Sequence, residues 1–97
     1  MPALVIADVE ITDPTGFEEY RARVPATIAA YGGRYLVRGG ATEVKEGDWS
    51  PRRLIVLEFP SLARARAWYA SPEYTPLIAL RERTARTRLV FAEGYAG

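Results

Sequence analysis

The sequence predicts an α+β domain with the element order βαββαβ, in which four strands form one antiparallel sheet. Apolar runs with the period of a strand alternate with segments that repeat apolar residues every three or four positions. Each helical segment is bounded by residues that start or stop helices. The chain has 97 residues, which is enough for one domain with its own core, so we expect a single domain over 1–97.

The first half of the chain predicts a strand, a helix and a second strand. Residues 3–11 are apolar on both faces of an extended segment. Asp13 and Pro14 follow as a helix start, because Asp accepts hydrogen bonds from free amides and Pro fits the first helical position. Pro25 lies inside the helical pattern and is expected to kink or divide the helix. A second strand is expected over residues 34–38.

The second half predicts two strands separated by two short helices. Gly39 and Gly40 indicate a bulge in the second strand, and we expect this ribbon to continue through Val44 and to turn near residues 47–48. The remaining elements are a third strand over 53–59, a helix capped by Ser61, a helix over 73–83 after a break at 71–72, and a last strand over 87–93.

This order is the split βαβ arrangement of a ferredoxin-like domain. Both crossovers should be right-handed, which places the helices on one face of the sheet. An antiparallel sheet with one wet face should alternate apolar and polar residues, but the first and third strands are apolar on both faces. The second face therefore needs a cover, and a second copy of the chain is the simplest one. We expect a homodimer formed through the sheet face.

The composition removes several kinds of chemistry. The chain contains no Cys and no His. It therefore has no thiolate nucleophile, and it lacks the commonest metal ligand, the usual haem ligand and the usual general base. No run of Asp and Asn has the spacing of a Ca²⁺ or Mg²⁺ loop. We expect neither a metal nor a cofactor.

Charge and terminal sequence bear on partners and location. The formal net charge is only +1, whereas a nucleic-acid-binding domain more often has a strongly basic face. The apolar run at the start breaks at Asp8 and is too short for a signal peptide or a membrane helix. We expect no nucleic acid and no membrane as partners, and the cytoplasm as the location.

Several stretches together resemble one bacterial family. They are GRYLVRGG at 33–40, EGDW at 46–49, RLIVLEFPS at 53–61, AWY at 67–69 and SPEY at 71–74. The chain resembles over nearly its whole length the domain of unknown function 1330 (DUF1330) family, within the dimeric α+β barrel superfamily. The resemblance implies the ferredoxin-like fold and a sheet-to-sheet dimer. It implies no activity, since none is established for the family.

Glu58 is the candidate catalytic residue. It ends an apolar strand, on the face that carries Leu54 and Val56, and we expect it to point into a covered space. An unpaired carboxylate there would have a raised pKa and would suit a general acid or base. The alternative, which we favour, is a structural ion pair with an Arg, and Arg38 on the neighbouring strand is the expected partner.

Six further residues are candidate ligand-binding residues. Arg38 precedes Gly39, and an Arg beside open backbone amides can bind a carboxylate or phosphate. Aromatic residues with polar tips suit ligand pockets, although most such residues are core. The ligand-binding set is Tyr20, Arg38, Gly39, Trp68, Tyr74 and Arg81.

Three functions compete. The first is a small-molecule-binding protein or cofactor-independent enzyme, with a cleft between sheet and helices for a small anionic or aromatic compound. The second is a non-catalytic homodimeric structural or regulatory module. The third, RNA binding, ranks last, because the strand over 53–59 lacks the aromatic residues that stack on bases.

Overall fold

A computed structural model describes residues 1–95 as one sheet with three helices. The strands are β1 (Ala3–Ile11), β2 (Arg34–Arg38), β3 (Leu54–Phe59) and β4 (Ala85–Glu93). They lie in the order β2-β3-β1-β4, and all neighbouring strands are antiparallel. The predicted α+β, ferredoxin-like topology is therefore confirmed.

The helices are α1 (Pro14–Ala30), α2 (Leu62–Tyr69) and α3 (Thr75–Thr84). Two of them begin at the predicted caps. The Asp13 carboxylate accepts a hydrogen bond from the Gly16 amide at 3.1 Å, and the Ser61 hydroxyl accepts one from the Arg64 amide at 3.1 Å. Each cap satisfies an amide that has no partner within its own helix.

Pro25 does not divide the helix, as one form of the expectation had it, because α1 continues through it to Ala30. Proline lacks an N–H, so the carbonyl four residues earlier, that of Arg21, loses its helical partner. The Arg38 side chain replaces this partner, since its Nη2 donates to the Arg21 oxygen at 3.1 Å. A contact from β2 thus satisfies the group that proline leaves free.

The connection between β2 and β3 also differs from expectation. The ribbon does not continue to Val44, because β2 ends at Arg38 and β3 begins at Leu54. The register shift lies between Tyr35 and Val37, not at the two glycines. Gly39 instead has a positive φ of 70°, a conformation that favours glycine at the end of the strand.

The core lies between the three helices and one face of the sheet. Val5 and Phe59 from the sheet pack with Ile28, Trp68 and Leu77 from the helices, and each is at most 2 % exposed. Alternation along β1 places its odd-numbered residues on this helix-covered face. The even-numbered residues lie on the opposite side.

The opposite side is called the open face below, and none of the three helices within residues 1–95 packs on it. It carries Leu4, Ile6, Leu54, Val56 and Val90, which register places on one surface. Val90 is 59 % exposed. Apolar residues therefore occupy both faces of the sheet, as the sequence predicts. Among residues 1–95 the helices cover only one face, and on the other the Trp49 indole donates to Asp8 and lies beside Ile6 and Val90.

Candidate functional site

A small cavity lies between the sheet and the helices, in the core that the fold creates. It has a volume of about 40 Å³, which is room for roughly three water molecules. Most of its wall is aliphatic, from β1, β3, β4 and α1. The remaining lining residues are Tyr20, Tyr35, Trp68, Tyr74, Arg81 and Thr87.

A cluster of polar side chains lies at this cavity. The hydroxyls of Tyr20 and Tyr74 are 2.7 Å apart, and Nη1 of Arg81 donates to the Tyr74 hydroxyl at 2.9 Å. Tyr20 comes from α1, Tyr74 directly precedes α3 and Arg81 lies in the last turns of α3. The packing of α1 against α3 therefore assembles the cluster.

Tyr74 is held rigidly. Its ring is fully buried and stacks on Trp68, with ring centroids 4.1 Å apart. The Trp68 indole in turn donates to the Thr27 hydroxyl at 3.0 Å, and the Tyr74 amide donates to the Ser71 hydroxyl at 3.1 Å. Burial raises the pKa of Tyr74 well above its usual range, so its hydroxyl stays protonated at neutral pH.

Arg81 is the unusual member of the cluster, since it is only 6 % exposed. No carboxylate lies within 4.0 Å of its guanidinium in the part of the chain that the structure describes. Burial acts to lower the pKa of Arg81, but the neighbouring Tyr74 and Tyr20 oppose it and the net shift is upward. The guanidinium is therefore a buried positive charge without a counter-ion.

Two polar atoms at the cavity have no hydrogen-bond partner among residues 1–95. They are Nε of Arg81 and the hydroxyl oxygen of Thr87, and both are buried. Native proteins satisfy most buried polar groups, so each exception needs an explanation. A guanidinium N–H and a hydroxyl are both suited to contact an oxygen atom of a bound compound or a water molecule.

The structure brings together four of the seven predicted site residues. Tyr20, Trp68, Tyr74 and Arg81 all line the cavity. Gly39 and Arg38 lie outside it, at the end of β2. Arg38 stacks on the Tyr35 ring, with its Cζ 4.6 Å from the ring centroid. Tyr35 lines the cavity and therefore connects it with the end of β2.

Glu58 does not line the cavity. It pairs in register with Leu4 and Arg34, which places it on the open face, with the sheet between it and the cavity. Its Oε1 accepts hydrogen bonds from Nε and Nη2 of Arg34 at 2.9 and 2.8 Å. The expected pairing of Glu58 with Arg38 is therefore wrong. The bulge in β2 turns Arg38 toward α1 and leaves Arg34 opposite Glu58.

Sequence reasoning missed Thr87 and Tyr35 as cavity residues. Thr87 pairs with Val9, which faces the helices, so strand parity alone indicated where it points. Tyr35 is similarly placed opposite the buried Leu57. What parity did not show is that Thr87 lacks a hydrogen-bond partner, because that depends on the distant residues around it.

Two searches over residues 1–95 bear on other functions. No group of three or more acidic side chains there is arranged to hold a metal ion. None of the three helices is long and apolar enough to cross a membrane.

Solved structures with the same fold share little sequence with this chain. A protein of unknown function from Rhodopseudomonas palustris matches with a TM-score of 0.74 and 15 % identity, over 99 % of this chain and 84 % of that one. A dimeric ferredoxin-like protein of unknown function from Jannaschia sp. CCS1 matches with a TM-score of 0.71 and 14 % identity, over 97 % and 100 %.

A third structure belongs to a described enzyme. SnoaB, a cofactor-independent oxygenase from Streptomyces nogalater, matches with a TM-score of 0.65 and 16 % identity, over 99 % of this chain and 95 % of that one. At such low identity, these likenesses establish the fold alone. No curated protein gives a significant sequence match. The model of the domain of unknown function DUF1330 matches residues 2–95, and the chain therefore belongs to the DUF1330 family.

Proposed function

We propose that this protein binds a small organic anion in the cavity between its sheet and its helices. The observation that carries the proposal is the buried guanidinium of Arg81, which faces the cavity without a counter-ion. Burying an unpaired charge is costly, and a bound carboxylate or enolate would neutralise it. The partnerless Nε of Arg81 and hydroxyl of Thr87 supply contacts for its oxygen atoms.

The rest of the cavity indicates the character of the compound. Its walls are aliphatic and aromatic, which favours an apolar or planar body attached to the anionic group. The volume of about 40 Å³ accommodates the anionic group itself. A larger body needs the lining side chains to move, and Tyr20 and Tyr35, which are only partly buried, are the aromatic ones at the cavity with solvent-exposed surface.

The cluster is better suited to binding and polarising an oxygen atom than to removing a proton. Because its pKa is raised, Tyr74 is a hydrogen-bond donor and a poor base. Arg81 and the two tyrosines would stabilise negative charge that develops on a substrate oxygen. The oxygenase SnoaB shows that this fold hosts chemistry without a cofactor in another protein. The proposal gives Glu58 no part in the cavity.

Benzoate, which has a planar body and one carboxylate, is the probe for this site. The two Trp indoles give separate ¹H–¹⁵N signals, and only Trp68 lines the cavity. We expect benzoate to shift the Trp68 indole and Arg81 Nε signals and to leave the Trp49 indole signal in place. Arg81→Gln should weaken binding about tenfold or more, since it removes a charged donor.

Arg83→Gln is the matched control, because Arg83 lies on the same helix but is exposed. It should bind benzoate as the unchanged protein does. Native mass spectrometry of the protein as purified from cells adds a direct search for the natural compound, which should appear as a discrete adduct that Arg81→Gln loses. Equal binding by both variants, or no shift at Trp68, would show that the cavity does not take such anions.

A homodimer through the open face is the second proposal, and it holds whether or not the cavity binds a compound. The observation that favours it is the apolar surface formed by Ile6, Val56 and Val90, which register brings side by side on the open face. Exposed apolar patches of this kind mark interaction sites. The structural neighbour from Jannaschia is described as dimeric. Native mass spectrometry at micromolar concentration should give twice the chain mass, and a monomer would count against the pairing.

A further inference from the structure

Three arginine side chains converge at the end of β2, outside the cavity. They are Arg21 from α1, Arg38 from β2 and Arg53, which directly precedes β3. Nη2 of Arg38 reaches the backbone carbonyl of Arg21, and the Arg53 guanidinium lies beside Gly39, the residue that follows Arg38. Like charges repel, so the fold must hold this group together by other contacts.

Arg38 is fixed by two contacts that the sequence builds. Pro25 leaves the Arg21 carbonyl without a helical partner, and Nη2 of Arg38 donates to that carbonyl at 3.1 Å. Its guanidinium also stacks on the Tyr35 ring at 4.6 Å. The side chain is therefore placed against α1 before any ligand arrives.

Arg53 is anchored through its backbone, and its side chain lies beside a glycine. Its carbonyl accepts a hydrogen bond from the Val9 amide at 2.9 Å, which anchors it to β1. Its guanidinium lies against Gly39, where a Cβ atom would collide with Nη1. Burial, together with the charges of Arg21 and Arg38, lowers the pKa of Arg53. The surroundings of Arg53 therefore disfavour the charged form of its guanidinium.

Negative charge around the three arginines is sparse. Within the described part of the chain, the one carboxylate within 4.0 Å of any of them is that of Glu18, 3.8 Å from Arg21. The Glu18 side chain is 65 % exposed, and exposed pairs of this kind contribute little. Nε of Arg21 is buried and has no hydrogen-bond partner in that same part of the chain.

We propose that Arg21, Arg38 and Arg53 form a binding site for an oxyanion, either a carboxylate or a phosphate group. Planar guanidinium groups match both kinds of anion through paired N–H donors, and an anion would relieve the repulsion among the three cations. The site is separate from the cavity and does not rest on the function proposed for it. Tyr35 lies between the two, since it lines the cavity and stacks on Arg38.

The anion has two possible sources, a free oxyanion or an acidic group on the compound held in the cavity. Inorganic phosphate tests the first source. Terephthalate, which is benzoate with a second carboxylate, tests the second, with the Nε–H signals of the three arginines as the measurement. A shift of these signals by phosphate alone supports a site for free oxyanions. A shift by terephthalate that accompanies the Trp68 shift, and that benzoate does not produce, supports one compound that contacts both places. No shift with either probe overturns the inference.

Arg53→Gln removes one of the three cations, and Arg66→Gln is the matched control, because Arg66 is exposed on α2. For the probe that shifts the arginine signals, we expect Arg53→Gln to lower the affinity about tenfold and Arg66→Gln to change it less than twofold. Equal weakening by both variants would reduce the effect to net charge and would refute a built site.

Pro25→Ala supplies a test that leaves all three charges in place. It restores the N–H that bonds the Arg21 carbonyl and so releases Arg38. We expect anion binding to weaken while the helix is retained or stabilised. Unchanged affinity would show that Arg38 is not positioned by this contact. In each variant, benzoate-induced shifts at Trp68 test the cavity separately, so that one site can fail without the other.

Discussion

Replacing Arg81 by Met separates a binding role for this residue from a structural one. The change removes the buried charge and keeps a side chain long enough to fill most of the space. Arg81 is 6 % exposed, and its Nη1 donates a hydrogen bond to Tyr74 at 2.9 Å. A charged hydrogen bond contributes about 1.5–3 kcal/mol, whereas burying an ion costs several kcal/mol. The upward pKa shift of Arg81 depends on negative charge on neighbouring tyrosines, which Tyr74 does not carry at neutral pH. At that pH the charge therefore opposes folding when no anion is bound.

We expect Arg81→Met to raise the free energy of unfolding by about 1 kcal/mol, because apolar replacements of buried charges are often neutral or stabilising. For a domain of this size, that change corresponds to an increase in Tm of roughly 4–8 °C. Thermal and urea unfolding in buffer without organic anions are the measurements. Benzoate should raise the Tm of the unchanged protein. It should have no effect on the Tm of Arg81→Met, since the variant lacks the guanidinium that would bind the carboxylate.

Two controls on the same helix calibrate the result. Arg83→Met, at an exposed position, should change the free energy of unfolding by less than about 0.5 kcal/mol. Leu77→Ala, at a position only 1 % exposed, should lower it by about 2–5 kcal/mol. If Arg81→Met instead lowers the free energy of unfolding by more than about 2 kcal/mol, groups of the protein itself compensate the charge of Arg81. The argument for an anionic ligand would then be refuted.

Three further predictions concern assembly and pH. Val56→Asp places a charge on the apolar open face and should convert the dimer to a monomer in native mass spectrometry, whereas Ala63→Asp, at an exposed helical position, should not. Hydrogen bonds from the Trp49 indole and the Arg52 amide lower the pKa of Asp8. Its contribution to stability is therefore present above about pH 3.9 and is lost as the pH falls through the lower pKa of the folded state. The NMR signal of the Trp49 indole should move in that pH range, and Asp8→Asn should abolish the movement. Because burial raises the pKa of Tyr74, stability should fall as the pH rises above about 10, where the unfolded chain alone loses this proton. Tyr74→Phe should lose less stability over the same range in urea unfolding, and parallel losses would contradict the assignment.

The sequence alone determined the order of the elements and the faces of the strands. Local signals sufficed for this, since Asp13 and Ser61 cap the helices that they were predicted to cap. The two-faced apolar pattern of β1 likewise predicted which residues lie on each side of the sheet. These features depend on neighbours within a few positions, which a single sequence contains.

Long-range contacts decided the features that the sequence did not predict. Pro25 leaves a carbonyl free in any helix, but whether the helix continues depends on another group to satisfy that carbonyl, here the Arg38 guanidinium 17 positions away. The same contact turns Arg38 away from Glu58, which then pairs with Arg34. Pairing across a sheet follows from register and bulges, and these are set by tertiary packing.

The candidate site shows the same division. Its residue types were predictable, because Tyr20, Trp68, Tyr74 and Arg81 have the aromatic rings, hydroxyls and charge that a pocket needs. Whether these side chains are buried and which partners they have was not predictable. That Arg81 is buried without a carboxylate depends on what every surrounding element contributes at that place. Amino-acid types fix which interactions a side chain is able to make, and only the packing of α1, α3 and the sheet decides which of them remain unmade.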